Sequence, residues 1–131
     1  MEAAFGPIRV LLVDDHASIR QQMRCALEQH SDVQVIGEAS NGVEAVQFVR
    51  TLQPQVVVMD ISMPSMDGVR ATRLIKEEHP QITIIGLSVF ETAMTRDAIM
   101  NAGASGLLMK DNAVEDLYVT IHRYLGKSGS T

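Results

Sequence analysis

The sequence predicts an α/β protein, a doubly wound five-stranded parallel sheet in the flavodoxin-like order 2-1-3-4-5 with helices on both faces. Short apolar runs alternate with segments of helical period from one end of the chain to the other, which is typical of repeated βα units. Crossovers between parallel strands are right-handed, so few arrangements remain for five such units. Of these, we expect the order 2-1-3-4-5.

The strands are predicted where apolar and β-branched residues form short runs. These runs are 8–13 (IRVLLV), 33–38 (VQVIGE), 55–59 (QVVVM), 82–88 (ITIIGLS) and 106–109 (GLLM). The third run is apolar on both faces and leads directly into Asp60. A charged side chain at the end of a buried strand needs a reason, and the function of the protein is expected to supply it.

Five helices are predicted between and after the strands, because apolar residues recur there at helical spacing. They cover about 17–30, 41–53, 66–78, 91–101 and 113–125. Asn41 is a good N-cap for the second helix, Pro54 stops that helix, and Gly103 closes the fourth.

The composition indicates one compact domain in a reducing compartment. The chain has 131 residues, 46% of them apolar, and a net charge of −5, which disfavours a nucleic-acid surface. Cys25 is the single cysteine, so no internal disulfide can form, and we expect it to be a small packed residue on a helix. The chain lacks an apolar run of about eighteen residues and a signal-peptide pattern, so we expect a cytoplasmic protein without membrane contact.

The domain organisation follows from the same patterns. We expect residues 1–7 to be an N-terminal extension and 8–125 to be the folded domain. Residues 126–131 (GKSGST) have the Gly/Ser composition of a flexible tail or of the start of a linker to a further, absent domain. Both readings of this last segment stay open.

Three carboxylates follow two of the predicted strands. Asp14 and Asp15 come directly after the first strand, and Asp60 follows the third. In the order 2-1-3-4-5 the ligand crevice lies between these two strands, at their carboxyl ends. Like charges at close range either raise one another's pKa strongly or need a cation. Because carboxylates, carbonyl groups and water are the ligands that Mg²⁺ prefers, the sequence predicts a magnesium site there.

Two further strand ends add a hydroxyl and an ammonium group. Ser88 ends the fourth strand and Lys110 follows the fifth. Together with a divalent cation, these groups would neutralise the oxygens of a phosphoryl group transferred to Asp60, which would become an acyl phosphate.

Each of these residues also has a structural interpretation on its own. Asp15 could cap a helix, Ser88 could satisfy a loop amide, and Lys110 could lie on a surface turn. Four unrelated coincidences at strand ends are a poorer explanation than one site. Asp67, in the MDG turn, is expected to form the turn or start the helix, and His16 is expected to face solvent rather than to bind metal.

The motifs LLVDDH, VVVMDISMPSMDG, LSVF and GASGLLMKD resemble, in order and spacing, the receiver domains of two-component response regulators. The resemblance covers about residues 8–125. The DDH motif, and the Asp that follows the lysine in LLMKD, are most similar to receivers attached to LuxR-type helix-turn-helix output domains.

The resemblance implies a role for each residue of the site. The phosphoacceptor would be Asp60, the Mg²⁺ or Mn²⁺ ligands Asp14, Asp15, Asp60 and the backbone carbonyl of Ser62, the switching hydroxyl Ser88, and the lysine of the site Lys110. It also implies a sensor histidine kinase as donor and no turnover activity. DNA would be bound only through an output domain absent from this chain, and homodimerisation stays open.

One residue departs from the family pattern. Leu107 stands where the family usually has the aromatic residue that is coupled to the switching hydroxyl. Any signal to the surface of helix 4, strand 5 and helix 5 must therefore take another path, for which Phe90 is the candidate. Helix 5 would offer the partner surface, through Tyr118, Ile121 and Tyr124.

Three rival functions fit the sequence less well. A phosphohydrolase of the haloacid-dehalogenase type would need an acid where Ser62 stands, and a flavodoxin would need a phosphate loop where Asp14 and Asp15 would repel phosphate. A receiver-like interaction module that works without phosphorylation is the strongest alternative, because Leu107 is atypical. The intact acid set argues against it.

Overall fold

A computed structural model describes residues 6–61, 63, 67–89 and 92–129, with the backbone alone for 126–129. One parallel sheet has the strand order β2-β1-β3-β4-β5, which confirms the predicted topology. The strands are β1 (Ile8–Val13), β2 (Val33–Ala39), β3 (Val56–Asp60), β4 (Thr83–Ser88) and β5 (Gly106–Met109). The helices are α1 (Ala17–Glu28), α2 (Gly42–Leu52), α3 (Gly68–Glu78), α4 (Ala93–Asn101) and α5 (Ala113–Gly129), with a short 3-10 helix at Lys110–Asn112.

The helices begin at residues whose side chains cap them. Asn41 accepts a hydrogen bond from the backbone N of Glu44, as predicted for the start of α2. Asp67 caps α3 and Thr92 caps α4, so these helices begin at Gly68 and Ala93. The predicted starts at 66 and 91 lie outside the described residues.

Helix α5 is longer than its sequence pattern predicts. It continues to Gly129, four residues past the predicted end at Leu125. Glycine and serine lower helix propensity, but only proline removes a helical hydrogen bond, and the GKSG segment contains none. The first part of the predicted tail is therefore helical backbone.

The sheet divides the core into two layers. On one face, Val57 and Met59 of β3 pack with α2, α3 and α4. On the other face, Val56 and Val58 pack with Met23 and other side chains of α1 and α5. All five residues of β3 are buried, because this strand lies in the middle of the sheet with helices on both sides.

Two observations concern the surface. Cys25 is exposed on the outer side of α1, so the prediction that it is packed is wrong; the buried face of the helix is formed by Met23 and Leu27. Within the described part of the chain, no helix combines the length and the apolar character that a membrane span requires.

Candidate functional site

The predicted acid cluster forms at the carboxyl edge of the sheet. Asp60 is the last residue of β3, and Asp14 follows β1 directly. Since Val13 is paired with Met59 in the parallel register, the two carboxylates reach the same edge. Asp14 is fully buried and Asp60 is 1% exposed, whereas the Asp15 side chain is 28% exposed. Two of the three charges are therefore withdrawn from water and need compensation.

Lys110 supplies part of that compensation. Its Nζ lies 3.0 Å from Asp60 Oδ2, to which it donates a hydrogen bond, and 3.0 Å from Asp14 Oδ2. The second contact is an ion pair by distance only, since Asp14 Oδ2 accepts no hydrogen bond from the described residues. Burial alone would lower the pKa of Lys110, but the hydrogen bond to Asp60, the close contact with Asp14 and the negative charges of both aspartates outweigh it and raise that pKa. The lysine is therefore a fixed positive charge between the carboxylates.

His16 also belongs to the cluster, although sequence reasoning placed it in solvent. Its side chain is 62% exposed, as expected. However, its Nδ1 lies 3.1 Å from Asp14 Oδ1, 3.0 Å from Asp15 Oδ1 and 3.4 Å from Lys110 Nζ. The imidazole lies beside the acids because His16 immediately follows them in the DDH motif, at the start of α1.

The cluster fits a divalent cation. Ligand atoms from Asp14, Asp15, His16 and Asp60 all lie within 4.8 Å of one another. The set is rich in carboxylate oxygen, which Mg²⁺ and Mn²⁺ prefer, and it includes the buried Asp14 Oδ2 without a hydrogen bond from the described residues. Ser62, the predicted carbonyl ligand, lies outside those residues.

The hydroxyl predicted for the site is at the same edge. Ser88 is the last residue of β4, is 6% exposed, and is paired with Met109 of β5, the residue before Lys110. The ends of β3, β4 and β5 therefore carry an acid, a hydroxyl and an ammonium group side by side. Phe90, predicted as part of the switch, lies outside the described residues.

The Leu107 side chain packs in the core between the sheet and the helices on one face, and not at the site. It is paired with Gly86 of β4 and contacts the core layer of α2, α3 and α4. A Cβ added at Gly86 would lie 3.2 Å from Leu107 Cδ1 and 3.1 Å from Ile99 Cγ1, so Leu107 and Ile99 of α4 converge over this glycine. The position that departs from the family pattern thus links β5 with α4.

Sequence reasoning gave no role to Gly68, whose small size the site requires. A Cβ at this position would overlap the backbone carbonyl oxygen of Asp60 and lie 2.6 Å from Ile61 Cα. The first turn of α3 therefore sits directly on the backbone of the phosphoacceptor candidate. The sequence did not show this, because an Asp-Gly pair is as typical of a turn as of a close backbone contact.

Sequence reasoning also missed Arg20. Its Nη1 donates a 2.5 Å hydrogen bond to the backbone carbonyl of Asp14, and its Nε donates to Glu38 Oε1 at 2.9 Å. The guanidinium group thus ties the loop that carries the acid pair to α1 and β2. No sequence pattern pointed to it, because the contact depends on the exact path of the loop after β1.

Of the predicted partner surface on α5, the structure contradicts Ile121, whereas a partner role for Tyr118 and Tyr124 stays a prediction. Ile121 is fully buried in the core and cannot contact a partner. Tyr118 is half-buried, and its hydroxyl donates to Asp32 in the loop before β2. Tyr124 lies over Gly106, where an added Cβ would come within 2.5 Å of its ring. The helical spacing of these three residues reflects packing against the sheet and against that loop.

Comparisons with known proteins agree with this geometry. The family model described as "Response regulator receiver domain" matches residues 10–122. The matched region includes every residue of the described site: Asp14, Asp15, Asp60, Ser88 and Lys110. The chain is a response regulator receiver domain.

Curated relatives of this receiver domain are larger proteins. The response regulator UvrY of Escherichia coli is 41% identical over 114 residues, which are 87% of this chain and 52% of UvrY. The nitrate/nitrite response regulator NarL of the same species is 31% identical over 117 residues, 89% of this chain and 54% of NarL. The receiver domain thus spans about half the length of these relatives.

A solved structure supports the predicted subfamily. A LuxR-family two-component response regulator from an Aurantimonas species superimposes with a TM-score of 0.87 at 30% identity, covering 92% of this chain and 86% of that one. The resemblance to receivers of LuxR-type regulators, predicted from the DDH and LLMKD motifs, is confirmed.

Proposed function

We propose that this receiver domain is a phosphoacceptor switch in which Asp60 takes a phosphoryl group from the phosphohistidine of a sensor histidine kinase. The observation that carries the proposal is the position of Lys110, whose Nζ lies 3.0 Å from Asp60 Oδ2 and 3.0 Å from Asp14 Oδ2. If these residues served stability alone, apolar side chains of similar volume in place of the lysine and the two buried carboxylates would make the domain at least as stable.

The transfer exchanges one bond to phosphorus for another. An oxygen of Asp60 forms the new P–O bond while the P–N bond of the donor breaks, and the histidine nitrogen keeps the electron pair and takes a proton from water. Asp14, Asp15 and Asp60 would hold Mg²⁺ or Mn²⁺, which neutralises charge on the phosphoryl oxygens when bound. Lys110, after β5, and Ser88, at the end of β4, would do the same, and Gly68 leaves room beside the Asp60 backbone.

Phosphorylation would change the balance of charges that now fixes Lys110. Negative charge added at Asp60 would draw the ammonium group and the Ser88 hydroxyl toward the phosphoryl oxygens. This would favour a conformation in which β5 and the end of β4 are shifted toward the site. Leu107 would pass this change to α4 through Ile99, because both side chains pack over Gly86.

In the whole protein the switch would regulate transcription. This chain matches only about half the length of these relatives, and a LuxR-family structure is among its neighbours. We therefore expect a helix-turn-helix output domain that contacts DNA, a task for which the acidic receiver domain is unsuited. The receiver itself would be modified once per signal rather than turn over substrate.

The test is the intact mass of the protein after incubation with Mg²⁺ and either acetyl phosphate or a phosphorylated histidine kinase. We expect a single phosphoryl adduct, and none in the isosteric Asp60→Asn variant or with EDTA. If neither donor gives an adduct with the wild-type protein, the acids do not serve phosphoryl transfer. The domain would then act as an interaction module without phosphorylation.

A further inference from the structure

We propose that His16 is a fourth side-chain ligand of the cation site, and that it shifts the preference of the site toward first-row ions that bind nitrogen, such as Ni²⁺ and Co²⁺. The inference rests on the proposed function, because it assumes that the acid cluster holds a divalent ion. It assigns a specificity role to a residue that sequence reasoning placed in solvent.

The position of the imidazole matches that of a ligand. Its Nδ1 is 3.1 Å from Asp14 Oδ1 and 3.0 Å from Asp15 Oδ1. Adjacent ligands of an octahedral ion with bonds of about 2.1 Å are about 3.0 Å apart. An ion bound by the two acids can therefore take Nδ1 as a third ligand without a change of rotamer.

The backbone around His16 holds the ring in this place. Its amide donates to Asp14 Oδ1 at 2.8 Å, and its carbonyl accepts from the backbone N of Ile19 and of Arg20 at the start of α1. Arg20 in turn holds the Asp14 carbonyl. The ring thus projects from a fixed helix start, and its 62% exposure leaves the opposite edge in solvent, so that Nδ1 is the nitrogen that faces the acids.

A nitrogen ligand changes which ion the site prefers. Oxygen ligands alone suit Mg²⁺, whereas imidazole adds affinity that grows along the series from Mn²⁺ to Ni²⁺. The observed distances also suit a hydrogen bond from a protonated Nδ1 to the carboxylates. In that case the ring would compete with every cation alike, so the two roles make opposite predictions for a variant without the imidazole.

The experiment uses the chain without a histidine tag. Mn²⁺ is bound to the wild-type protein, and pulsed electron paramagnetic resonance measures coupling of the ion to ¹⁴N. Displacement of Mn²⁺ by Mg²⁺ and by Ni²⁺ then gives the affinity of this one site for each ion. The variants are His16→Asn, which removes the imidazole and places a favoured N-cap residue at the start of α1, and His122→Asn, a matched control at a histidine that contacts a different acid, Asp32.

We expect ¹⁴N coupling in the wild type and in His122→Asn, and none in His16→Asn. Affinity for Ni²⁺ should fall by about tenfold or more in His16→Asn, with affinity for Mg²⁺ changed by less than about twofold. Mn²⁺ bound without ¹⁴N coupling, or equal or tighter binding of both ions by His16→Asn, would overturn the inference and leave the proposed function intact. Failure of the wild type to bind any of the ions, together with failure to phosphorylate Asp60, would overturn both.

Discussion

Lys110 is the residue on which the charge balance of the site depends. Its side chain is 10% exposed and stands between two carboxylates that are almost completely buried. Removing one partner from a buried ion pair leaves an uncompensated charge, which costs more than the pair itself contributes. The stability of the domain should therefore report on this lysine directly.

We predict that Lys110→Met lowers the free energy of unfolding at pH 7, without divalent ions, by about 3 kcal/mol. The raised pKa of Lys110 in the folded state means that its contribution is complete below the ordinary lysine pKa of 10.5 and is lost as the pH rises through the folded-state pKa. Urea denaturation of both proteins from pH 7 to 11 should show the difference shrinking at the alkaline end.

Lys76 provides a control, because its pKa is shifted in the opposite direction to that of Lys110. Its Nζ donates to the backbone carbonyls of Pro80 and Ile82, and burial lowers its pKa. A lysine with a lowered folded-state pKa costs stability while it is charged, so the difference between wild type and Lys76→Met should grow in favour of the wild type as the pH rises toward 10.5. Parallel pH profiles for the two variants would contradict the role given to the acids around Lys110.

Individual residues of the site were predictable where their place depends on topology alone. Asp14, Asp60 and Lys110 lie at the carboxyl ends of parallel strands, and these ends share one edge of the sheet, so their proximity could be predicted once the order 2-1-3-4-5 was assumed. His16 and Arg20 were not predictable in the same way. Their contacts depend on the path of the loop after β1, which no periodic pattern encodes.

Helix α3 starts beside the phosphoacceptor candidate, which raises the question of whether Asp67 acts in the chemistry or in the helix. Asp67 Oδ1 accepts a 2.8 Å hydrogen bond from the backbone N of Arg70, as an N-cap does. We predict that Asp67→Ala lowers the free energy of unfolding by about 1 kcal/mol, whereas Asp67→Asn, which keeps the cap, changes it little. Denaturation curves measure both effects.

The same two variants test the alternative. If Asp67 only caps the helix, Asp67→Asn should be phosphorylated by acetyl phosphate to the same extent as wild type, as seen by intact mass. Loss of the adduct in Asp67→Asn, with stability unchanged, would place its carboxylate in the chemistry instead.

Strand β5 and helix α5 are fitted to each other at one glycine. A Cβ at Gly106 would lie 2.5 Å from the Tyr124 ring, which must then move. We predict that Gly106→Ala costs about 2 kcal/mol of stability, as overpacking does, and that the cost falls below about 1 kcal/mol when Tyr124 is first replaced by Ala. A double-mutant cycle from urea denaturation measures this coupling, and equal costs in both backgrounds would show that the strain lies elsewhere.

Helix starts and strand ends were predicted best where a local signal exists. Asn41 begins α2 because its side chain caps the helix, and the apolar runs of β1 and β5 end where the structure ends them. The end of α5 was misplaced because glycine and serine weaken a helix without stopping it. Surface roles were the least predictable, since Ile121 shows the same spacing whether its face meets a partner or the sheet.

At the scale of the molecule, one sheet separates two core layers and brings the acids, the hydroxyl and the lysine of the candidate site together at its carboxyl edge. Alternation and handedness left few arrangements of five strands, and the order observed is the common one that was expected among them. As a result, the ends of the buried central strands carry a group of repelling carboxylates. The domain should therefore be less stable than its core permits until a cation binds.

The last prediction tests this trade between function and stability. Mg²⁺ binds the folded domain and not the unfolded chain, so at about 100 times its dissociation constant it should raise the free energy of unfolding by about 2.7 kcal/mol.

Asp15→Asn removes one of the repelling charges at a partly exposed position. Without divalent ions this variant should be more stable than wild type by about 1 kcal/mol, and with Mg²⁺ the order should reverse, because the variant has lost a ligand. Urea denaturation of wild type and variant, each with EDTA and with Mg²⁺, measures the four free energies of unfolding. A variant that gains as much from Mg²⁺ as wild type does would show that the ion binds away from the acid cluster.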